Sequence, residues 1–196
     1  MKINYDYITY EDVMRARQFM YEQALEKNAT NSILNTARDL FANSNFEMCI
    51  KVCEGLLDAK DPKHLYDAKK LIALAYYSLQ DFEKADQAFY ELAENSTNSD
   101  DWFNVVISST LNKNIERSQE AFGIALEKYT QFGHQRNMPS VQLMLHYMIT
   151  LETVKEYPLA LEQLKMLVQV YAKLKNTSET FLSSRGLEQI ENFLEI

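Results

Sequence analysis

Cys49 and Cys53, four residues apart, with His64 further along the chain, are the side chains that most directly suggest chemistry. Two thiolates and an imidazole are a donor set for zinc or a similar soft ion. Cys49 and Cys53 lie on what reads as one helix, a poor setting for a disulfide. They also fall in columns of a repeating pattern that the next unit fills with Ala85 and Phe89. On that reading they are core side chains, since a free cysteine packs as a small hydrophobe. The three histidines, His64, His134 and His146, are dispersed and have no recognisable partner motif. No nucleophile elbow, Walker loop or dinucleotide fingerprint occurs, and four glycines could hardly build a phosphate cradle. Asp100 and Asp101 stand where a helix begins, so capping and the helix dipole account for both. The expectation is a non-enzyme with no catalytic residues, no metal and no cofactor.

The elements that carry these residues read as helices. Only four Gly and three Pro occur in 196 residues, too few for the turns of a many-stranded sheet protein. The formal net charge is −8, and no Lys/Arg cluster matches a phosphate backbone or an anionic lipid surface. No nucleic-acid partner is expected. No stretch approaches the roughly 18 consecutive apolar residues of a membrane span, and "MKINYDYITYEDV" lacks the apolar core of a signal peptide. The residues therefore suggest no membrane insertion and a cytoplasmic setting with reduced thiols.

The apolar pattern recurs along the chain. "NFEMCIKVCEGLL" (45–57), "DFEKADQAFYELA" (81–93), "NIERSQEAFGIAL" (114–126) and "EYPLALEQLKMLV" (156–168) align with offsets of 36, 33 and 42. Each has a bulky residue (Phe46, Phe82, Ile115, Tyr157), then a small one three positions on (Cys49, Ala85, Ser118, Ala160). Four further comes Cys53, Phe89, Phe122 or Leu164. The preceding segments match as well: Ile33-x-x-Thr36-Ala37-x-x-Leu40, Ile72-Ala73-x-x-Tyr76, Trp102-x-x-Val105-Val106 and Met144-x-x-Tyr147-Met148-x-x-Leu151. Two helices per unit, at a period near 34, is the signature of stacked helical hairpins, because a small residue lets its partner helix approach while a bulky one fills the gap beside it. Thr9-x-x-Asp12 opens an earlier helix with Val13, Ala16, Met20 and Ala24 on one face. Asp61-Pro62 and Ser99-Asp100-Asp101 mark two later starts.

This pattern resembles the tetratricopeptide repeat (TPR) family over about residues 31–174. The second unit carries the likeness best, with Ala73, Tyr76, Phe82, Ala85 and Phe89 in consensus columns, and Trp102 takes the favoured aromatic column of the third. Val106 and Met148 replace a usual small residue, and Ser44, Gln80, Lys113 and Lys155 stand where the family commonly has a corner glycine. The 42-residue step places an insertion around Thr130–Pro139, as in the longer-helix variants of peptide-sensing and motor-adaptor scaffolds. The resemblance implies an all-α fold: a right-handed α-solenoid of about four TPR-like hairpins with capping helices at both ends. One domain, 1–196, is expected, with an N-terminal capping helix 9–28, repeats 31–60, 62–96, 99–131 and 139–174, and a C-terminal capping helix 178–196 in which Phe181, Leu187, Ile190 and Leu194 recur.

In such a solenoid the first helix of each unit lines a concave groove. The residues expected there are Leu34, Asn35, Arg38 and Phe41, then Lys70, Leu71, Leu74 and Tyr77, then Phe103, Asn104 and Ile107, and last Leu145, His146, Ile149 and Glu152. Apolar anchors mixed with a few Asn, Arg and His groups suit a peptide segment or helix of another protein. The expectation is a scaffold or adaptor. Its alternatives are a regulator or inhibitor that senses a peptide or effector protein, and a self-assembling module, a homo-oligomer whose groove is covered by a second copy or by the chain's own ends. Family members that grip acidic chaperone tails use lysines, an arginine and asparagines on these helices. Leu34, Arg38, Leu71, Asp100 and Asn104 occupy the matching columns, so such tails are not the expected partner.

Overall fold

A computed structural model describes residues 9–132 and 140–175, and among them the chain is all-helical, with no strand. Eight helices follow one another: α1 (Tyr10–Ala42), α2 (Phe46–Glu54), α3 (Pro62–Ser78), α4 (Phe82–Ala93), α5 (Ser99–Leu111), α6 (Ile115–Phe132), α7 (Ser140–Thr153) and α8 (Tyr157–Lys175). The expected C-terminal capping helix and much of the insertion near 130–139 lie outside the described residues.

Helix starts follow local chemistry. Thr9 and Asp12 form a capping box: the Asp12 amide donates to Thr9 Oγ1 at 3.2 Å, and the Thr9 amide donates to Asp12 Oδ2 at 3.0 Å. Asp61 caps α3, its Oδ1 accepting from the Lys63 amide at 2.9 Å, and Pro62 takes the first helical position. At α5 the cap is Asn98 rather than Ser99. Its Oδ1 accepts from the Asp100 amide at 3.1 Å, and Ser99 is already helical.

One boundary differs from the sequence reading. The expected capping helix 9–28 and the first helix of the first repeat are a single helix of 33 residues, α1. Residues 26–33, "EKNATNSI", contain no Gly or Pro to break it. The Thr30 and Thr36 hydroxyls donate to the carbonyls of Glu26 and Ser32, four residues back, so polar side chains that could have capped a new start turn into the existing helix.

Between α1 and α2, α3 and α4, α5 and α6, and α7 and α8 the chain turns the same corner. Ser44, Gln80, Lys113 and Lys155 have φ of 59°, 60°, 61° and 69°, the left-handed conformation, in the column where the sequence lacks glycine. Each corner closes with the same two bonds of a Schellman motif. The amides of Ser44, Gln80, Lys113 and Lys155 donate to Phe41, Tyr77, Thr110 and Glu152; those of Asn45, Asp81, Asn114 and Glu156 donate to Leu40, Tyr76, Ser109 and Leu151. The carbonyls of these same four residues then accept from Cys49, Ala85, Ser118 and Ala160, the small-residue column, beginning the next helix. One residue ends a helix and starts another. The sequence repeat is a backbone repeat at every corner.

Where the sequence suggests one domain, the contacts gather into two compact units, Met1–Ala75 and Tyr76–Ile196, with the division inside α3. The core of the first is Leu34, Ala37, Cys49, Cys53, Leu56 and Ala68, with Leu40, Phe41, Val52, Leu71 and Ile72 packed against it. In the second, α5 packs against α4, α6 and α7. Its buried side chains include Phe89, Val105, Val106, Tyr147, Leu151 and Leu167. Tyr147 stacks at a tilt on Phe122, ring centroids 4.8 Å apart, and shares a hydrogen bond of 3.0 Å with the Ser118 hydroxyl. Burial raises the Tyr147 phenol above its ordinary range, and the Ser118 bond opposes that shift.

Candidate functional site

The expected groove residues separate by unit. In the first, Leu34 is only 1% exposed and belongs to the core, which corrects its expected place on a groove. The core-facing stripe of α1 runs through buried Leu34 and Ala37 to partly buried Phe41, whereas Ile33, expected to pack, is exposed. Leu71 also leans on that core and Leu74 is half-buried. Phe41 meets Phe46 edge to face with centroids 5.3 Å apart. The polar candidates are engaged within the unit. Arg38 bonds Asp67 at 2.9 Å and Asn35 at 3.1 Å, and Lys70 bonds the Tyr66 hydroxyl at 3.1 Å. Arg38, already paired with a carboxylate, offers less to an incoming one.

The second unit brings several candidates together. Phe103 on α5 and His146 on α7 lie with ring centroids 5.9 Å apart and planes tilted by 31°. Phe103 is buried at 6% exposure, a correction to its expected place at the surface, while His146 is exposed. Asn104, Ile107 and Leu145 are half-buried, Ile149 is 45% exposed and Glu152 is exposed. Tyr77, at the end of α3, stands edge to face with Phe82 at 5.9 Å, repeating the Phe41–Phe46 pair. The Phe103–His146 pair thus joins α5 to α7, two helices that also carry the partly exposed Asn104, Ile107 and Leu145 and the exposed Ile149 and Glu152.

The hydroxyls of these two helices serve the helices themselves. Ser108 donates to the Asn104 carbonyl, Thr110 to Val106, Thr150 to His146 and Thr153 to Ile149. Ser109 donates to Asp86. Donors for an outside ligand are confined to Asn104 and His146 among the candidates of α5 and α7.

Asp86 is a polar centre that the sequence reading did not single out. It is 1% exposed and accepts from Ser109, from Asn112 at 3.1 Å and from Arg117 at 3.1 Å. The Arg117 guanidinium also lies over the Tyr90 ring, 4.6 Å from its centroid, and Tyr90 meets Trp102 edge to face. A signal was present: Asp86 falls four after Phe82 and three before Phe89, on the apolar side of α4. With its lone pairs taken by α5, α6 and the corner between them, it holds elements together rather than facing a ligand.

The thiols are both buried at 0% exposure. Burial pushes Cys53 up to about 12, Cys49 beside it adding to the shift, and raises Cys49 as well. Such thiols are neutral at ordinary pH and poor nucleophiles. His64 is buried with Nε2 2.8 Å from Asn31 Oδ1 and Nδ1 3.6 Å from Asp61 Oδ2, tying α1 to the start of α3. Among the described residues no three His, Cys, Asp or Glu side chains gather as a metal site, and no helix is long and apolar enough to cross a membrane. Comparison with family models, with curated proteins and with solved structures gives no match.

Proposed function

We propose that the chain is a non-enzymatic protein-binding module built of TPR-like hairpins, and that the α5–α7 face receives a peptide segment or helix of another protein. The observation that carries this reading is the Phe103–His146 contact between α5 and α7, together with the half-exposed Ile107, Leu145 and Ile149 and the amide Asn104 on the same two helices. Apolar anchors that exclude water, beside a few polar groups able to meet a backbone amide, are what peptide recognition requires. The four matching corners support the TPR-like part of the reading, since they put a left-handed residue in the column where the family commonly has glycine. The pairing of Arg38 with Asp67 argues against acidic chaperone tails as the partner.

Selection of binding peptides from a random display library on the folded chain tests this reading. The selected peptides are expected to lose tenfold or more in affinity (roughly 1.4 kcal/mol) on Ile149→Asn, with circular dichroism unchanged. Leu57→Asn, at an exposed leucine of the first unit, is expected to leave binding intact. Peptides that bind the wild type and Ile149→Asn equally would show that the face is not the docking site.

A further inference from the structure

The formal charges carried by α5 and α7 themselves are of one sign. Neither α5, "SDDWFNVVISSTL", nor α7, "SVQLMLHYMITLET", contains a lysine or arginine; their formal charges are Asp100, Asp101 and Glu152. Asp101 is buried and accepts from the Ser96 hydroxyl at 2.6 Å, so it faces inward. Asp100 is half-buried in the first turn of α5, and Glu152 is exposed near the end of α7. Each backbone dipole adds partial negative charge at its helix C-terminus, and no basic residue stands in the last turn of either α5 or α7. The lysines nearest in sequence, Lys113 and Lys155, lie beyond those ends at the corners, each with acidic neighbours: Glu116 for the first, Glu152 and Glu156 for the second.

The donor inventory points the same way. An anionic ligand needs cations or spare N–H and O–H donors. On these helices Ser108, Thr110, Thr150 and Thr153 spend their hydroxyl protons on their own backbone and Ser109 on Asp86, which leaves the neutral Asn104, Gln142 and His146 as donors and no lysine or arginine beside them. A cationic ligand needs only acceptors, which Asp100, Glu152 and the Asn104 amide oxygen supply. The chain as a whole carries a formal charge of −8, which adds long-range attraction for a basic partner.

We propose that the α5–α7 face selects segments whose apolar anchors are flanked by lysine or arginine, and discriminates against acidic segments of the same apolar pattern. This rests on the docking role proposed above and specifies the partner's chemistry. The occupant is a basic amphipathic peptide segment, with its apolar side chains over Ile107, Leu145 and Ile149 and a cation toward Glu152.

The test uses two fluorescein-labelled peptides of equal length, with the same leucine and alanine positions and either lysine or glutamate at every polar position. Anisotropy titration of the full chain at low salt is expected to give the lysine peptide about tenfold or greater advantage, shrinking as salt screens the exposed charges. Ile149→Asn weakens the lysine peptide if it sits on this face. Glu152→Lys is expected to remove most of its advantage. Glu47→Lys makes the same change of net charge at an exposed site in the first unit and is expected to leave most of it. Equal loss from the two charge reversals would reduce the effect to overall charge and overturn the proposal. If the glutamate peptide binds as well as the lysine peptide, and Ile149→Asn weakens both, the charge preference is wrong while the docking role stands. If neither peptide responds to Ile149→Asn, both proposals fall.

Discussion

At each of the four corners a side chain with a Cβ occupies a conformation that glycine adopts freely. A left-handed φ costs an L-residue about 1–2 kcal/mol, part of which glycine gives back through the greater freedom of its unfolded chain. Gln80 is exposed and its side chain makes no described contact that the corner depends on. Gln80→Gly is therefore expected to stabilise the fold by about 0.5–1 kcal/mol, seen as a higher midpoint in urea with an unchanged slope. A lower midpoint would mean that the strain lies elsewhere. The corner residues could be located in the sequence because the repeat fixes their column. That they are left-handed could not, because serine, glutamine and lysine carry no such signal. Leu34 and Phe103 were misplaced for a related reason: each adjoins a packing column, Ile33 or Trp102, and neighbouring apolar residues on a helix differ in side by only about 100°.

Among the elements, α5 is the most enclosed, with Trp102, Phe103, Val105, Val106 and the hydroxyl residues Ser108, Ser109 and Thr110 all buried. Its polar tie is Asp86 on α4, which binds α5 through Ser109 and α6 through Arg117. Asp86→Ala leaves a partly exposed guanidinium, an amide and a buried hydroxyl without their acceptor. It is expected to cost roughly 3 kcal/mol in chemical denaturation, where surface changes such as Gln87→Ala stay within about 0.5 kcal/mol. A loss below 1 kcal/mol would show that water replaces the carboxylate easily. Helix identity was the most legible property of the chain, since scarce Gly and Pro and a steady apolar period leave few alternatives. The fusion of two expected helices into α1 was not, because Asn28, Thr30, Asn31 and Ser32 look like capping residues until the Thr30 hydroxyl is seen to bond the Glu26 carbonyl and the Asn31 side-chain amide to bond His64.

For the whole molecule, acid is the expected weak direction. Asp12 is held below the usual carboxylate range chiefly by the Thr9 hydroxyl, Asp61 chiefly by the Lys63 amide and Asp81 chiefly by the Lys84 ammonium. A depressed folded pKa means stability that is present above the unfolded value, about 3.9, and lost as pH falls through the folded one. The melting temperature is expected to hold from pH 7 to about 5 and to fall below about pH 4, with Asp81→Asn showing a shallower fall. An acid limb as steep in that variant would remove Asp81 from the account. Of the candidate face, the sequence named Phe103 and His146, whose rings lie 5.9 Å apart, whereas the hydroxyl bonding of α5 and α7 shows only in three dimensions. The corners also bear on how this chain tolerates changes of length. A single residue finishes one helix and begins the next, so no spare residue exists at these corners, and the differing spacings of 36, 33 and 42 are taken up largely by helix length, 9, 12 and 18 residues in α2, α4 and α6. An epitope tag or reporter would thus be accommodated better at the exposed Glu94–Asn95, ahead of the Ser96 and Asn98 bonds that begin α5, than at 80–81, where it would break both corner bonds.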